Sequence, residues 1–365
     1  MKTKKVVFLL FFAPFLFLGG LGIEVERVQT YGVFVSFLLL ILVWIQKKKI
    51  NIPKYFILYT LFLIFFLIHS LKVSVDAEKS LEVFSLFLSG GIFWIISFNL
   101  KKELSPYFDK IIVLLGLVFA GLYFYNNIFG DPTSVSPWSL YLNYSAYRNH
   151  NSIGDLWAVV LVIIIFYLLK NTRNVYVWLL AILGSYLLYV SQSRAAFVAL
   201  AGGVIYLVKM KGWVEKYKKI FTLFLILAIA LFLIIGAQKT TLFTRQYYIQ
   251  GILGFIHNPE GVGVGNFGVI SKDSANHIWG LSHFASVAHN LPLEIVTGMG
   301  ILGFVFVYWL IKVLQGVWED NAEKNLVYRV VFITLFANFF FHSSYLIPTM
   351  FWLWFGSLGL SQSKN

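Results

Sequence analysis

Arginine and histidine side chains are the groups in this chain that could bind a phosphate and move a proton. Arg194 lies within the apolar stretch LLYVSQSRAAFVALAGG, whereas Arg245 and His289 lie near the two ends of the polar segment 237–290. A guanidinium binds phosphate oxygens through two parallel hydrogen bonds, and an imidazole titrates near neutral pH and can act as a general base. These residue types could therefore form a site that binds a phosphate and accepts a proton.

Each of these residues also has a simpler interpretation. Arg194 could extend its charge to lipid headgroups, as long cationic side chains do at membrane surfaces. Arg245 could be an ordinary surface residue, and His289 could cap the helix that begins at LPLEIV. An arginine between two apolar runs is nevertheless costly near a bilayer and usually marks a site, which favours a functional role for Arg194.

Two further features of the segment 237–290 give weaker signals. Its glycine run, GVGVGNFG, contains a formal G-x-G-x-x-G. A dinucleotide fingerprint needs a preceding strand and a βαβ unit, so we expect a tight turn, with a phosphate-binding nest as the alternative. His277, His283 and His289 are spaced by six residues, which is about 600° on a helix, so they do not share a face. Since the chain also has no cysteine, we predict no metal site.

The elements that position these residues are predicted to be membrane spans. Of 365 residues, 59% are hydrophobic and 12% are charged, against about 25% charged in soluble domains. Apolar runs near 20 residues recur, each long enough at about 1.5 Å per residue to cross roughly 30 Å of hydrocarbon. The predicted fold class is an all-α integral membrane protein with about 12 transmembrane helices. The spans are predicted at 6–23, 30–46, 55–71, 80–98, 108–127, 152–169, 174–191, 194–209, 219–236, 291–314, 326–343 and 346–362.

The distribution of charge predicts the orientation. With the N-terminus in the cytoplasm, most of the 29 lysines and arginines fall in cytoplasmic loops, as the positive-inside rule requires. These loops account for the net charge of +13, and we predict no nucleic-acid partner. Both termini are predicted to be cytoplasmic. The segment 237–290, between spans 9 and 10, is predicted to be a helical subdomain on the periplasmic face of an otherwise single polytopic membrane domain, 1–365.

A second polar cluster falls on the same predicted face. Arg148 stands in the sequence RNHN before span six, with Asp155 one turn inside that span. Asn290 is the second residue of the later HN pair. We expect Arg148 and Asn290 to bind substrate together with Arg194 and Arg245. All seven histidines also fall at this face, which fits either an interfacial belt or a catalytic surface.

Several motifs together resemble one family. SQSRAAF at the start of a span, a later arginine in an outer loop, GVGVGNF, and HNLPLEIVTGMGILG at the start of the next long span resemble the O-antigen ligase and O-antigen polymerase superfamily. The resemblance is best over 150–310. Arg194, Arg245 and His289 match the family's two arginines and its histidine. No role is transferred to the remaining histidines of the outer segment, His257, His277 and His283.

The resemblance implies a GT-C-type glycosyltransferase in the bacterial inner membrane, with an undecaprenyl diphosphate-linked glycan as donor on the periplasmic face. It implies no cofactor, whether metal, nucleotide sugar or ATP. His289 would be the general base for a sugar hydroxyl, and Arg194 and Arg245 would bind the diphosphate that leaves in an inverting displacement. The segment 237–290 would then form a lid over a lipid-diphosphate site.

Within the superfamily, two acceptors are open. A ligase transfers the glycan to a sugar of lipid A–core in lipopolysaccharide biosynthesis, whereas a polymerase transfers it to another lipid-linked repeat unit. We favour the ligase because the loop around the HN pair is compact and the chain is short. A transporter or flippase is the alternative from another class, and it is less favoured since the ionisable residues lie near span ends.

Overall fold

The computed structural model describes residues 25–129, 150–170, 173–212, 246–277, 284–320 and 322–362. Within these residues the protein is all-helical and has no strand. The α-helices are α1 (Val25–Lys47), α2 (Phe56–Lys72), α3 (Ala77–Asn99), α4 (Lys101–Leu104), α5 (Phe108–Phe129), α6 (His150–Lys170), α7 (Val175–Ser191), α8 (Arg194–Met210), α9 (Gln246–His257), α10 (Phe267–His277), α11 (Leu291–Met299), α12 (Phe304–Glu319), α13 (Leu326–Phe339) and α14 (Pro348–Ser361). Short 3-10 turns cover Gly300–Gly303, Glu323–Asn325 and Ser343–Leu346.

The helices support a membrane-embedded protein. Among the described residues, the helical segments long and apolar enough to cross a membrane are Ala77–Asn99, Ile153–Lys170 and Leu291–Glu319. Shorter apolar helices cover Gly32–Lys47, Phe56–Lys72 and Val175–Ser191. The predicted spans 6–23 and 219–236 lie outside the described residues, and each other predicted span is mostly helical. The helical class is therefore confirmed, whereas the count of twelve spans stays a prediction.

The predicted span 291–314 lies within the candidate span Leu291–Glu319, and the helix of this span is interrupted. Helix α11 ends at Met299, a 3-10 turn follows, and α12 begins at Phe304. Gly300 has φ 58°, and a Cβ atom there would overlap the carbonyl oxygen of Pro259. Glycine adopts this left-handed backbone at little cost, whereas other L-residues are strained there. Hydropathy does not register such a break because the residues around it remain apolar.

The glycine run packs against this break. Gly261, Gly263 and Gly265 have φ values of 88°, 95° and 88°. The N–H of Gly263 donates to the carbonyl of Gly298 at 2.7 Å, and the N–H of Gly265 donates to the carboxylate of Glu294 at 3.0 Å. The predicted tight turn with close backbone packing is therefore confirmed. The phosphate-binding nest is wrong for these two N–H groups, because both already donate within the protein.

The same region makes further backbone hydrogen bonds to the helix bundle. The N–H of Val262 donates to the carbonyl of Thr297 at 3.3 Å, and the N–H of Ile301 donates to that of Pro259 at 2.9 Å. On the other side, the N–H of Val75 donates to the carbonyl of Val262 at 3.0 Å. This part of the segment 237–290 is therefore hydrogen-bonded to the helix bundle, and its role as a lid stays a prediction.

Aromatic side chains form the core between α2, α3, α12 and α14. The ring of Tyr59 lies 4.8 Å from that of Trp309 and 5.2 Å from that of Phe355, and Trp94 lies 5.7 Å from Trp309. All four side chains are buried. A Cβ atom on Gly359 would lie 2.6 Å from the carbonyl oxygen of Trp94, so glycine lets α14 approach α3 closely. This packing fixes the relative positions of the helix ends, where the polar residues lie.

Polar contacts gather at two opposite ends of the helices. At one end, the ammonium of Lys47 pairs with the carboxylate of Glu103 at 2.5 Å. At the other end, Nε2 of His69 lies 2.7 Å from the carbonyl oxygen of Glu260. Loops predicted on different sides of the membrane thus lie at different ends of the bundle. Which end faces the cytoplasm stays a prediction.

Candidate functional site

A polar network centred on Asp155 of α6 lies at the end of the bundle that carries His69. The Asp155 carboxylate is fully buried. Its Oδ1 accepts hydrogen bonds from Oγ of Ser193 at 3.1 Å and from Nδ2 of Asn338 at 2.8 Å, and its Oδ2 lies 2.6 Å from Nδ1 of His342. A buried carboxylate needs partners of this kind, since one without hydrogen bonds is strongly destabilising.

The network is assembled from the ends of several helices. Ser193 is the N-cap of α8, and its Oγ also accepts the N–H of Ala196 at 3.2 Å. The preceding Gln192 has φ 50° and ends α7, so the sequence SQS turns the chain from α7 into α8. Asn338 lies in the last turn of α13, and the hydroxyl of Ser344 donates to its Oδ1. The N-cap at Ser193 and the last turn of α13 at Asn338 thus place two donors beside the carboxylate.

The contact between Asp155 and His342 orients the imidazole. A carboxylate only accepts hydrogen bonds, so Nδ1 of His342 carries the hydrogen, and a neutral ring then has its lone pair on Nε2. The His342 side chain is 18% exposed, whereas that of Asp155 is 0% exposed. An imidazole held in this way can take a proton from a hydroxyl, and the buried carboxylate stabilises the imidazolium that forms.

The predicted base, His289, lies beside this pair. Its ring centroid is 6.1 Å from that of His342 with the planes inclined by 29°, and 5.2 Å from that of Tyr247. His289 has φ 50°, a conformation that is uncommon for a residue with a Cβ atom and that recurs at functional sites. The structure therefore brings the predicted base next to a network that the sequence did not connect with it.

Asn290, not His289, caps α11. Its Oδ1 accepts the N–H of Leu293 at 2.8 Å, and its Nδ2 donates to the carbonyl of Phe340 at 3.2 Å. The capping interpretation of His289 is wrong because the neighbouring residue fills that position. Since both ends of the Asn290 amide have a partner in the fold, its contact with substrate stays a prediction.

The predicted arginines are only partly described. Arg194 is the first residue of α8, directly after Ser193 of the network, and its side chain is exposed. Arg148 and Arg245 lie outside the described residues. The structure thus places one predicted phosphate ligand next to the network, and phosphate binding by all three arginines stays a prediction.

A second buried carboxylate, that of Glu294, accepts hydrogen bonds from three separate parts of the chain near the site. Its Oε2 accepts the N–H of Ala288 at 2.7 Å and the hydroxyl of Tyr345 at 3.3 Å, while its Oε1 accepts the N–H of Gly265. Burial, and after it the charge of Glu294, raises the pKa of Tyr345 well above its usual range, so the phenol keeps its hydrogen. Because Ala288 directly precedes His289, this carboxylate helps to position the His289 backbone.

The other histidines of the outer segment are only partly described. His257 is exposed at the end of α9, His277 is the last residue of α10, and His283 lies outside the described residues. Within the described ranges, no three side chains of His, Cys, Asp or Glu are grouped to hold a metal ion. That the protein uses no metal or other cofactor stays a prediction.

Sequence reasoning missed the pairing of Asp155 with His342. The two residues are 187 positions apart, so no spacing pattern connects them. The signal that could have found the pair is chemical: an acidic residue inside an apolar span needs a buried partner, and a histidine at the same predicted face can supply it.

Comparison with known proteins adds no family. No protein-family model matches the chain, and no curated protein matches it. The resemblance to the O-antigen ligase superfamily therefore rests on the quoted motifs alone.

Proposed function

We propose that this protein is a membrane glycosyltransferase that moves a glycan from undecaprenyl diphosphate to a sugar hydroxyl, as O-antigen ligases do. The observation that carries the proposal is the contact between Asp155 and His342, with His289 beside it and Arg194 next to Ser193 of the same network. An oriented imidazole as base and a guanidinium that binds the diphosphate are the two groups that this reaction needs.

The proposed reaction is a direct displacement. Nε2 of His342 accepts the proton of the acceptor hydroxyl while the hydroxyl oxygen forms a bond to the anomeric carbon. The bond from that carbon to the diphosphate oxygen breaks, and undecaprenyl diphosphate leaves with the electron pair. Asp155 stabilises the imidazolium, and a base of this kind contributes about 10²–10⁴-fold to the rate.

This assignment differs from the prediction that His289 is the base. A ring whose Nδ1 faces a buried carboxylate is better oriented for proton transfer, so the proposal gives this step to His342. His289, at 6.1 Å between ring centroids, belongs to the same site and is proposed to contact the acceptor.

The leaving diphosphate gains negative charge, and cations that bind it more tightly in the transition state accelerate the step. Arg194 is proposed to bind it through a bidentate guanidinium, together with Arg245 and Arg148. This arrangement would release the lipid diphosphate without a bound metal ion.

We propose lipid A–core as the acceptor, which makes the enzyme a ligase of the bacterial inner membrane with its site on the periplasmic face. A polymerase that joins lipid-linked repeat units uses the same chemistry. A deletion strain separates the two: loss of lipid A attachment while long lipid-linked chains persist supports the ligase, and accumulation of single repeats on the lipid carrier supports the polymerase.

A proton-coupled transporter is the second candidate, and the burial of Asp155 inside a candidate span favours it. Acidic residues within spans, paired with histidine, recur in proton relays. Such a protein would move its substrate across a bilayer and make no new glycosidic bond.

The decisive experiment reconstitutes the purified full chain in vesicles with a labelled undecaprenyl diphosphate-linked glycan and lipid A–core. We expect labelled lipid A–core to form without added nucleotide or metal. The variants His342→Gln and Asp155→Asn should lower the rate, whereas His257→Gln, exposed at the end of α9, should not. Uptake of the donor without any transfer product would support the transporter and overturn the glycosyltransferase.

A further inference from the structure

A cavity at the opposite end of the bundle contains a buried arginine. Arg329 lies in the first turn of α13 and Asn338 in its last turn, so the two are about 14 Å apart at about 1.5 Å per residue. The cavity has a volume of about 670 Å³, and Arg329 lines it together with Lys54, Glu319 and Asp320. It is therefore separate from the Asp155 network.

The guanidinium of Arg329 is incompletely hydrogen-bonded. Its side chain is 1% exposed. Nη2 donates to the carbonyl of Ala322 at 2.8 Å, and Nη1 lies 4.0 Å from Oδ1 of Asp320. Among the described residues, Nε and Nη1 have no hydrogen-bond partner. Buried charges are normally paired and hydrogen-bonded, so an incompletely hydrogen-bonded guanidinium beside this cavity points to an acceptor oxygen from a ligand.

The other charged side chains of the cavity indicate which further groups a ligand would carry. Lys54 and Arg329 are cationic, whereas Glu319 and Asp320 are anionic. A hydrogen bond with Tyr55, and to a smaller extent the charge of Glu319, raises the pKa of Lys54 and keeps it cationic. A simple anion would be opposed by the two carboxylates. A ligand with both a phosphate and an ammonium group matches both pairs.

The cavity also has an apolar wall, which is formed by residues of the candidate spans. Phe98, Val313 and Val317 also line it, and all three are buried. They come from the ends of α3 and α12, both of which belong to candidate membrane spans. An apolar wall next to charged side chains suits a lipid, because a lipid has a charged headgroup and an apolar acyl chain.

We infer that this cavity binds a phospholipid with a phosphate and a primary ammonium in its headgroup. The phosphate contacts Arg329 and Lys54, and the ammonium contacts Glu319 and Asp320. On the predicted topology this lipid belongs to the cytoplasmic leaflet. The inference does not depend on the proposed glycan transfer, because it concerns the other end of the bundle.

The test is native mass spectrometry of the purified full chain with phosphatidylethanolamine and phosphatidylglycerol at equal concentration. We expect one phosphatidylethanolamine to be retained about tenfold more than phosphatidylglycerol. Glu319→Lys should shift the preference toward phosphatidylglycerol, and Lys54→Gln should weaken retention of both lipids. Lys102→Gln, an exposed lysine in α4 at the same end, is the control that should change nothing.

Three outcomes would overturn the inference. Equal retention of the two lipids would show that Glu319 and Asp320 do not select a headgroup with an ammonium group. An unchanged preference in Glu319→Lys would show that the lipid binds elsewhere. Displacement by an equal concentration of soluble phosphoethanolamine would assign the cavity to a soluble ligand. Arg329→Gln should abolish retention, and the exposed Lys54 and Glu319 keep the test sound even if that variant fails to fold.

Discussion

Oδ2 of Asp155 lies 2.6 Å from Nδ1 of His342, although 187 residues separate them in the sequence. The carboxylate comes from α6 and the imidazole from the turn after α13, so the contact exists only once both helices are packed. A buried acid behind a partly exposed ring sets the position of the ring's hydrogen. The position of this hydrogen matters for a catalytic role of His342 but not for a purely structural one.

Asp155→Asn is expected to reverse the tautomer of His342. The amide oxygen can still accept from Ser193 and Asn338, but its NH₂ group then faces Nδ1 and drives the hydrogen to Nε2. We expect glycan transfer to fall by about 10²–10⁴-fold with donor binding retained. The measurements are the transfer rate and the affinity for the labelled donor. A fall in donor affinity with an unchanged rate at saturation would contradict the assignment.

Arg194 should act through the geometry of its guanidinium as well as through its charge. Arg194→Lys keeps the charge but loses the two parallel hydrogen bonds, so we expect donor affinity to fall about tenfold, or about 1.4 kcal/mol. Arg194→Gln should weaken it further. The measurement is titration with undecaprenyl diphosphate, and Arg173→Gln serves as a control in another loop. Equal affinities for the arginine and lysine forms would rule out bidentate binding.

Glu294 is expected to stabilise the fold rather than react. Glu294→Leu leaves the N–H groups of Gly265 and Ala288 buried without their acceptor. Each such group costs about 1–3 kcal/mol, so we expect a loss of about 2–6 kcal/mol in the free energy of unfolding. Thermal unfolding in detergent measures it, with the exposed Glu260→Gln as the matched control. A stable Glu294→Leu protein that loses only transfer activity would instead make Glu294 part of the reaction.

Two glycines allow the effect of close packing at the break between α11 and α12 to be separated from the effect of backbone strain. Gly212 has φ 69° with no atom within 4 Å of an added Cβ, whereas Gly300 has φ 58° and a Cβ there would meet Pro259 and Glu260. Both Ala variants carry the left-handed penalty of about 1–2 kcal/mol. Gly300→Ala should lower the unfolding temperature clearly more than Gly212→Ala. Equal shifts would mean that the close approach of Pro259 is unimportant.

The chain has no cysteine, so a single introduced cysteine reports the topology without background. We expect a membrane-impermeant maleimide to label Ser286→Cys on intact inner-membrane spheroplasts, because this exposed residue precedes His289 on the predicted outer face. Lys102→Cys should react only after the membrane is opened. Labelling in the reverse pattern would place the Asp155 network on the cytoplasmic side.

The helical class and the approximate positions of the described helices were predictable because each is a long apolar run, and its hydropathy does not depend on its neighbours. The break at Gly300 was not predictable in this way, since the glycine stands within an uninterrupted apolar sequence. His289 was selected from a local motif and does lie at the polar network. Asp155 and His342 were noted only as separate residues, because their pairing is a property of tertiary packing.

The hydrogen bonds between Pro259 and Ile301 and between Gly263 and Gly298 have a consequence for protein engineering. The interrupted helix leaves backbone groups without hydrogen-bond partners inside the helix, and the outer segment supplies those partners. Each part therefore needs the other to complete its hydrogen bonds. A chimera that exchanges only the outer segment with that of another protein would lose these hydrogen bonds. Recombination points should therefore lie outside residues 259–301, and the contact of Val262 with Val75 should be kept.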